Sequence, residues 1–381
     1  MPLSGGETHL TVTSLPDILT LPQVRNFKPA GGLPINMSGG ETVISMAVVQ
    51  SQECPVVGIR PFDPWRDARA VTELIADAFQ GQLGPDGEAA LAEMRRIARW
   101  GPLLGWYSWS GGRRSSLPPG FVWVNDGQVL GNLSIRPAIE RDAYIIGNVA
   151  VHPDHRRKGI ARMLMEMAIA EVIACGGRWI GLEVRGDNAA ARSLYGRFGF
   201  REVGRTVHML RPADLKMDLQ PDTLPGLRPA RREDHTALLN LVYAVVPPMQ
   251  RPLLELRRAD YRLGWERRLD VWLAGQREAW WVAEVDGVLQ GAVRAVCHWS
   301  TRRRFNRMEV LVRPTYTGRF EDVLVRQGVA WLCSRPWGKR GMIEVVLPSP
   351  SLAMIQALEA HGFEMLRVLI QMRLNVAPRP L

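Results

Sequence analysis

The feature that most constrains this chain is an internal repeat. Ile59-Arg60-Pro61 recurs as Leu227-Arg228-Pro229, and Asp126-Gly127 followed by Gly131 recurs as Asp286-Gly287 followed by Gly291. Val151 and Pro153 recur as Val312 and Pro314, and Gly199-Phe200 as Gly362-Phe363. The pairs keep their order at a near-constant offset of 160–168 residues. Self-similarity with a unit of domain size points to a tandem duplication, and 381 residues accommodate two such units. Residues 1–54 fall outside the repeat. They are rich in Gly, Pro, Ser and Thr, lack helical periodicity, and repeat Ser4–Thr8 as Ser38–Thr42. This segment is expected to be a poorly ordered N-terminal extension. The remaining organisation reads as a first domain over 55–215, a linker over 216–225 containing Pro221 and Pro225, and a second domain over 226–376.

Within the first unit, helices and strands alternate, which predicts an α/β fold. Val56–Arg60 reads as a strand, and Arg66–Gln80 as a helix with Val71, Leu74, Ile75 and Ala78 on one face. Glu88–Trp100 reads as a second helix, followed by a long loop over Gly101–Gly120 with Trp106, Tyr107 and Trp109. Asn125-Asp126-Gly127 between two alternating runs predicts a hairpin of Phe121–Val124 and Gln128–Arg136. Tyr144–Val151 is a strand, and Ile160–Ala174 a helix with Ile160, Met163, Leu164, Met167 and Ala168 as its core stripe. Trp179–Val184 is a strand, Ala189–Phe198 a helix, and Arg201–Leu210 a closing strand.

Composition narrows the function classes. Hydrophobic residues are 46% and charged residues 23%, as in ordinary globular proteins. No run of about 18 apolar residues predicts a membrane-spanning helix, and Met1–Leu10 carries no secretory signal pattern. The net charge is +10, but the basic clusters Arg113-Arg114, Arg257-Arg258 and Arg302–Arg304 are short and scattered. They read as solvated surface, and nucleic acid is not expected as a partner. Cys54, Cys175, Cys297 and Cys333 are far apart, with no metal-ligand spacing, so neither structural zinc nor a disulfide framework is expected. Cys175, in an apolar helical context, reads as a buried small hydrophobe. A cytoplasmic location fits this cysteine usage.

The segment with most chemistry in it is Asn148-Val149-Ala150-Val151-His152-Pro153-Asp154-His155-Arg156-Arg157-Lys158-Gly159-Ile160-Ala161. A strand runs into a basic turn that opens a helix. The first N–H groups of a helix lack intrahelical partners and sit at the positive end of its dipole. Gly159 permits close backbone approach, and Arg156, Arg157 and Lys158 add charge, which together describe a pyrophosphate cradle. Downstream lies Leu182-Glu183-Val184-Arg185-Gly186-Asp187-Asn188, then Leu194-Tyr195 and Gly199-Phe200, with Asn188 suited to cap the next helix.

These two motifs resemble those of the GCN5-related N-acetyltransferase (GNAT) family. Arg156-Arg157-Lys158-Gly159-Ile160-Ala161 matches its Arg/Gln-x-x-Gly-x-Gly/Ala acetyl-CoA motif, and Asn188, Leu194-Tyr195 and Gly199-Phe200 match its later Asn…Leu-Tyr…Gly-Phe motif. The resemblance covers residues 56–212. The Leu-Glu-Val-Arg…Asn…Leu-Tyr run is most like the branch that acetylates the N-terminus of a ribosomal protein.

The resemblance implies two tandem domains, each a mixed, mostly antiparallel, splayed sheet flanked by helices. It implies acetyl-CoA as acyl donor, held by the backbone of Val149, Ala150 and Val151 along its pantetheine arm. Arg156, Arg157, Lys158, Gly159, Ile160 and Ala161 would surround the pyrophosphate, and Asn188 and Ala191 would lie beside the pantetheine. Tyr195 would be the general acid that protonates the departing thiolate. No metal is implied. Many relatives carry a Glu on the strand before the cradle where this chain has Gly147, so Glu183 is the candidate base. Its alternative role is a strand carboxylate paired with Arg185 or another Arg.

An α-amine of pKa 7.7–8.0 is partly neutral at pH 7, whereas a lysine amine costs roughly 4.6 kcal/mol to deprotonate. A weak base therefore suits a peptide N-terminus or a small-molecule amine of similar pKa. The alternatives are a tandem small-molecule acetyltransferase resembling mycothiol synthase, and a non-catalytic acyl-CoA-binding regulatory or scaffold protein.

The second unit keeps the pattern and loses the chemistry. The cradle becomes Thr317-Gly318-Arg319-Phe320-Glu321-Asp322, Tyr195 becomes Leu358, Asn188 becomes Ser351 and Glu183 becomes Val346. It reads as a degenerate copy that closes the cleft, selects the substrate, offers a homodimer surface or serves structure alone.

Overall fold

The computed structural model describes residues 57–79, 91–92, 94–95, 119–213, 226–298, 305–335, 341–348 and 350–376. The expected N-terminal extension, the linker at 216–225, the aromatic loop before Gly120 and most of the expected helix at 88–100 lie outside these residues.

The first half runs β1 (Gly58–Pro61), α1 (Pro64–Ala78), β2 (Gly120–Asn125), β3 (Gln128–Pro137), β4 (Ala143–Val151), α2 (Ile160–Ala174), β5 (Trp179–Arg185), α3 (Ala189–Arg197) and β6 (Arg201–Arg211). The second runs β7 (Leu227–Pro229), α4 (His235–Val245), α5 (Trp265–Leu273), β8 (Gln276–Val285), β9 (Val288–His298), β10 (Phe305–Val312), α6 (Glu321–Ser334), β11 (Met342–Pro348), α7 (Leu352–Ala360) and β12 (Glu364–Asn375). No described helix is long and apolar enough to cross a membrane.

The duplication appears in matched local devices. Asp126 and Asp286 both have φ of 49°, and Gly127 and Gly287 both have φ of 77°, so the two hairpins turn alike. This double left-handed turn suits the strands' right-handed twist. Arg60 grips Asp67 through both guanidinium nitrogens, and Arg228 grips Asp234 in the same way. Each pair ties the first strand of its half to the start of the following helix. The Asp234 carboxyl is held below its usual pKa by the hydrogen-bonded Arg228 guanidinium. A fixed fork facing a carboxylate makes such pairs geometrically specific.

Each half has a parallel strand pair inside an otherwise antiparallel arrangement. β4 pairs with β5 from Ala143 opposite Trp179 to Ile146 opposite Leu182, and β10 pairs with β11 from Phe305 opposite Met342 to Met308 opposite Val345. Beyond those residues the registers end while β4 and β10 continue, so the strands splay.

The halves do not close their sheets separately. A single twelve-stranded sheet runs β1-β2-β3-β4-β5-β12-β6-β11-β10-β9-β8-β7. The expected closing strand of the first half is present as β6, but it pairs with β12 and β11. The place beside β5 is taken by β12, the last strand of the second half, from Leu369 opposite Arg185 to Asn375 opposite Trp179. The two halves have thus exchanged their final strands.

Helices α2 and α3 pack over Leu133, Ile146, Ile180 and Leu182 together with Ile370 and Met372 of β12. Helix α1 packs on Val122, Val124 and Ala150. Gly131 lets α2 come close to the sheet, since a Cβ there would lie 2.7 Å from the Ile160 side chain. Two readings of α2 need correction. Met165 is buried within the helix where Met167 was expected, and Met167 is exposed. Cys175 is exposed, because it caps the C-terminus of α2, beyond the last turn that meets the core.

Candidate functional site

The splay between β4 and β5 is the centre of the candidate site. Asn148 adopts φ of 50°, and the β3–β4 register shifts between Asn132 and Ser134. This local bulge re-aims the end of β4, and buried Asn132 holds it by donating to the Asn148 carbonyl at 3.0 Å. From Gly147 to Val151 the β5-facing side of β4 has no strand partner among the described residues. Val149 and Val151 pack toward α2, and Ala150 toward α1.

β4 ends in a short 3-10 turn at Pro153–His155 and then in the cradle. Arg157 has φ of 63° and Gly159 φ of 82°, so two residues of this tight turn are left-handed. At Gly159 a side chain would be strained whatever the free space. No side chain caps the first turn of α2, while buried Ile160 anchors that turn to the core. Arg156, Arg157 and Lys158 are exposed around it, and the Arg156 Nε donates to the Val151 carbonyl at 3.3 Å. The result is a helix N-terminus with open N–H groups ringed by three cations, and Ala161 lies in its first turn. That arrangement suits a di-anion.

The matching turn of the second half is filled from within. Glu321 is buried, and its carboxylate accepts the Gly318 N–H at 2.9 Å and the Phe320 N–H at 3.2 Å. Phe320 replaces the glycine, has φ of −119°, and stacks on Tyr316 with centroids 5.8 Å apart. An internal anion therefore occupies the donors that a phosphate would need.

On the other side of the splay, Asn188 caps α3 by accepting the Ala191 N–H at 3.0 Å. Tyr195, on the second turn of α3, is buried and tilted against Phe200 with ring centroids 6.1 Å apart. Burial pushes its phenol up to about 12, because the phenolate would lose its hydration. The sign is clear. The acid form persists well above pH 10, so a rate that needs protonated Tyr195 should show no loss between pH 8 and pH 10. Steady-state rates across that range check this expectation, and a fall centred below pH 10 would contradict it.

Glu183 lies one residue past the last β4–β5 register pair and is exposed. Its partner is not Arg185, which is engaged by Asp187 at 2.6 Å and 2.9 Å. Glu183 Oε1 instead accepts from Gln371 Nε2 at 3.0 Å. Sequence reasoning missed Gln371. It stands 188 residues away, and only the strand exchange brings it beside β5. Of the predicted residues, Val149, Val151, Ile160, Ala191 and Tyr195 share one packed cluster beside the splay.

Residues 72–200 match the profile of the Acetyltransferase (GNAT) family. A [ribosomal protein bS18]-alanine N-acetyltransferase from Salmonella typhimurium is 46% identical over 62 residues, which is 16% of this chain and 42% of that protein. A mycothiol acetyltransferase from Parafrankia sp. is 29% identical over 160 residues, 42% of this chain and 43% of that protein. The chain thus spans about two fifths of the length of these curated relatives. Among solved structures, a tandem GNAT protein from the clavulanic acid biosynthesis pathway aligns with a TM-score of 0.53 and 16% identity. That alignment covers 85% of this chain and all of the other, and it supports the tandem fold. Over residues 72–200 the chain is thus similar to the acetyltransferase (GNAT) family, and its fold is similar to that of a tandem GNAT protein.

Proposed function

We propose that this protein transfers an acetyl group from acetyl-CoA to a primary amine in a ternary complex, using the site of its first half. The observation that carries the reading is the contrast between the two cradles. One is left open beside a splayed strand, and the other is filled by Glu321. Val149, Ala150 and Val151 would hold the pantetheine arm along the unpaired side of β4. Arg156, Arg157, Lys158, Gly159, Ile160 and Ala161 would surround the pyrophosphate. Asn188 Oδ1 already accepts the Ala191 N–H, so a ligand would meet its NH2 group, with Ala191 alongside.

The amine nitrogen attacks the thioester carbonyl, the C–S bond breaks, and an amide and free CoA result. Glu183 receives the amine proton, directly or through a water, and Tyr195 gives its phenol proton to the thiolate. The step needs no metal and no covalent intermediate. The 55–215 unit would carry the chemistry and the 226–376 unit would be degenerate in cofactor binding. A cytoplasmic location fits a chain that uses acetyl-CoA.

The acceptor class follows from the base. Glu183 is an exposed carboxylate with one oxygen engaged by Gln371, which leaves the other for an amine. An amine of pKa near 7.7–8.0 needs little help at pH 7. The expected acceptor is a peptide N-terminus or a small-molecule amine of similar pKa. The similarity to a ribosomal-protein alanine N-acetyltransferase favours the peptide. The similarity to a mycothiol acetyltransferase, which extends over more residues, favours the small molecule.

Acetyl-CoA turnover against peptides with free N-termini, polyamines and aminoglycosides tests the reading. We expect α-amines to exceed lysine side chains, and Glu183→Gln to lower the rate. A strong lysine preference with a rate indifferent to Glu183→Gln would sink the acceptor assignment. Binding of acetyl-CoA without turnover of any amine would favour a non-catalytic acyl-CoA-binding protein.

A further inference from the structure

We infer that Gln371, delivered by the exchanged strand β12, positions the candidate base Glu183, so that the second half completes the active site of the first. This rests on the reading of Glu183 as the base. Gln371 is fully buried, stands opposite Glu183 in the β5–β12 register, and gives its side-chain N–H to Glu183 Oε1 at 3.0 Å. The amide orientation follows from chemistry, since a carboxylate accepts and only the NH2 end of the glutamine can donate.

The other end of the amide argues against a purely structural role. Gln371 Oε1 is buried without a hydrogen-bond partner among the described residues. An unpaired buried acceptor is destabilising, and an apolar side chain of the same shape would avoid it. Its neighbours on β12, Ile370 and Met372, are apolar core residues. Gln371 therefore carries a stability cost for which the visible return is a fixed Glu183.

The second half also closes this spot from above. Gly204 of β6 faces Gln371, and Gln250 lies over it so closely that a Cβ on Gly204 would overlap the Gln250 side chain. Gln371 is thus held between β5 and β6, beside a Gly204 that the Gln250 side chain covers. One carboxylate oxygen of Glu183 is tied to it, and the other is left for the acceptor amine. A base held by one fixed bond loses less freedom on reaching the transition state.

The variant that separates position from packing is Gln371→Met, which keeps the volume and removes both polar ends. We expect its melting temperature to equal or exceed that of the wild type. With the best acceptor of the amine panel, kcat should fall about 10-fold or more, while KM for acetyl-CoA stays unchanged. In a Glu183→Gln background the same change should alter kcat by less than about 2-fold, because contacting residues that act together are not additive. The side-chain amide resonance of Gln371, identified by its loss in Gln371→Met, should shift in Glu183→Gln whether or not acetyl transfer is being measured.

Full activity in Gln371→Met would overturn the inference. So would an equally large loss in the Glu183→Gln background, or an amide resonance that ignores Glu183→Gln. If Glu183→Gln is fully active while Tyr195→Phe is not, the base assignment and this inference fall together and the acetyltransferase reading stands. If no amine is acetylated at all, that reading falls and takes the inference with it.

Discussion

Replacing Tyr195 by Phe should lower acetyl transfer by about 10²-fold or more, the range for loss of a general acid, with little change in acetyl-CoA binding. The expectation rests on where the ring sits. Tyr195 is buried on the second turn of α3 against Phe200, so the phenylalanine ring keeps the packing and only the hydroxyl is lost. Removing a hydroxyl leaves no cavity large enough to disturb the fold, so the melting temperature should move little.

The raised phenol, up to about 12, has two consequences for this variant. The wild-type side chain is fully protonated at neutral pH and ready to donate. A free thiol near 8.5 is a stronger acid than such a phenol, so transfer is favourable only as the thiolate is forming in a dry site. The benefit of Tyr195 should therefore appear in kcat and not in ground-state affinity. Calorimetric binding of acetyl-CoA beside free-thiol turnover for wild type and Tyr195→Phe checks this. Equal turnover in the two proteins would remove Tyr195 from the mechanism.

Much of this site was legible because its signals are local. A basic turn ending in glycine before a helix, and an asparagine at a helix start, are written within a few consecutive residues. Helix α2 was expected over Ile160–Ala174 and spans those residues, since its boundary residues Gly159 and Gly176 both take left-handed conformations. The altered second cradle was equally readable, because Phe320 and Glu321 change steric bulk and charge at single positions. The filling of that cradle by Glu321 follows from the same residues.

What could not be read was the choice of strand neighbours. β6 and β12 are similar strands that close corresponding units, and each is compatible with β5 or β11 by side-chain alternation. Period-two patterning shows that a segment is a strand and which face is apolar. It does not say which edge the strand joins. The partnership of Glu183 with Gln371 depends wholly on that choice, and so does the burial of Ile370 and Met372 in the first half's core. The alternative role of Glu183, a strand carboxylate paired with Arg185, is not found, because Asp187 takes Arg185.

The exchange also makes the halves inseparable, which gives the prediction with the largest effect. A fragment of residues 55–215 should fail to fold cooperatively, although it contains the whole GNAT motif set. In the intact chain β5 and β6 do not touch as sheet neighbours, because β12 lies between them. The fragment would lose Ile370, Met372 and Val376 from its core. At about 1.5–3 kcal/mol for each fully buried side chain, the loss is roughly 5–9 kcal/mol as an upper figure. Whole-domain stabilities are roughly 5–15 kcal/mol, so the deficit is comparable with everything that holds such a unit together. The vacancy would also expose two unpaired strand edges, which invite aggregation. Circular dichroism and thermal melting of the fragment should show no cooperative transition. Co-expression with residues 226–376 should restore one, because β12 and β6 can then each reach the opposite unit. A fragment that melts cooperatively and binds acetyl-CoA alone would mean that β6 can move beside β5, and that the exchange is a preference of the full chain instead of a requirement of the fold.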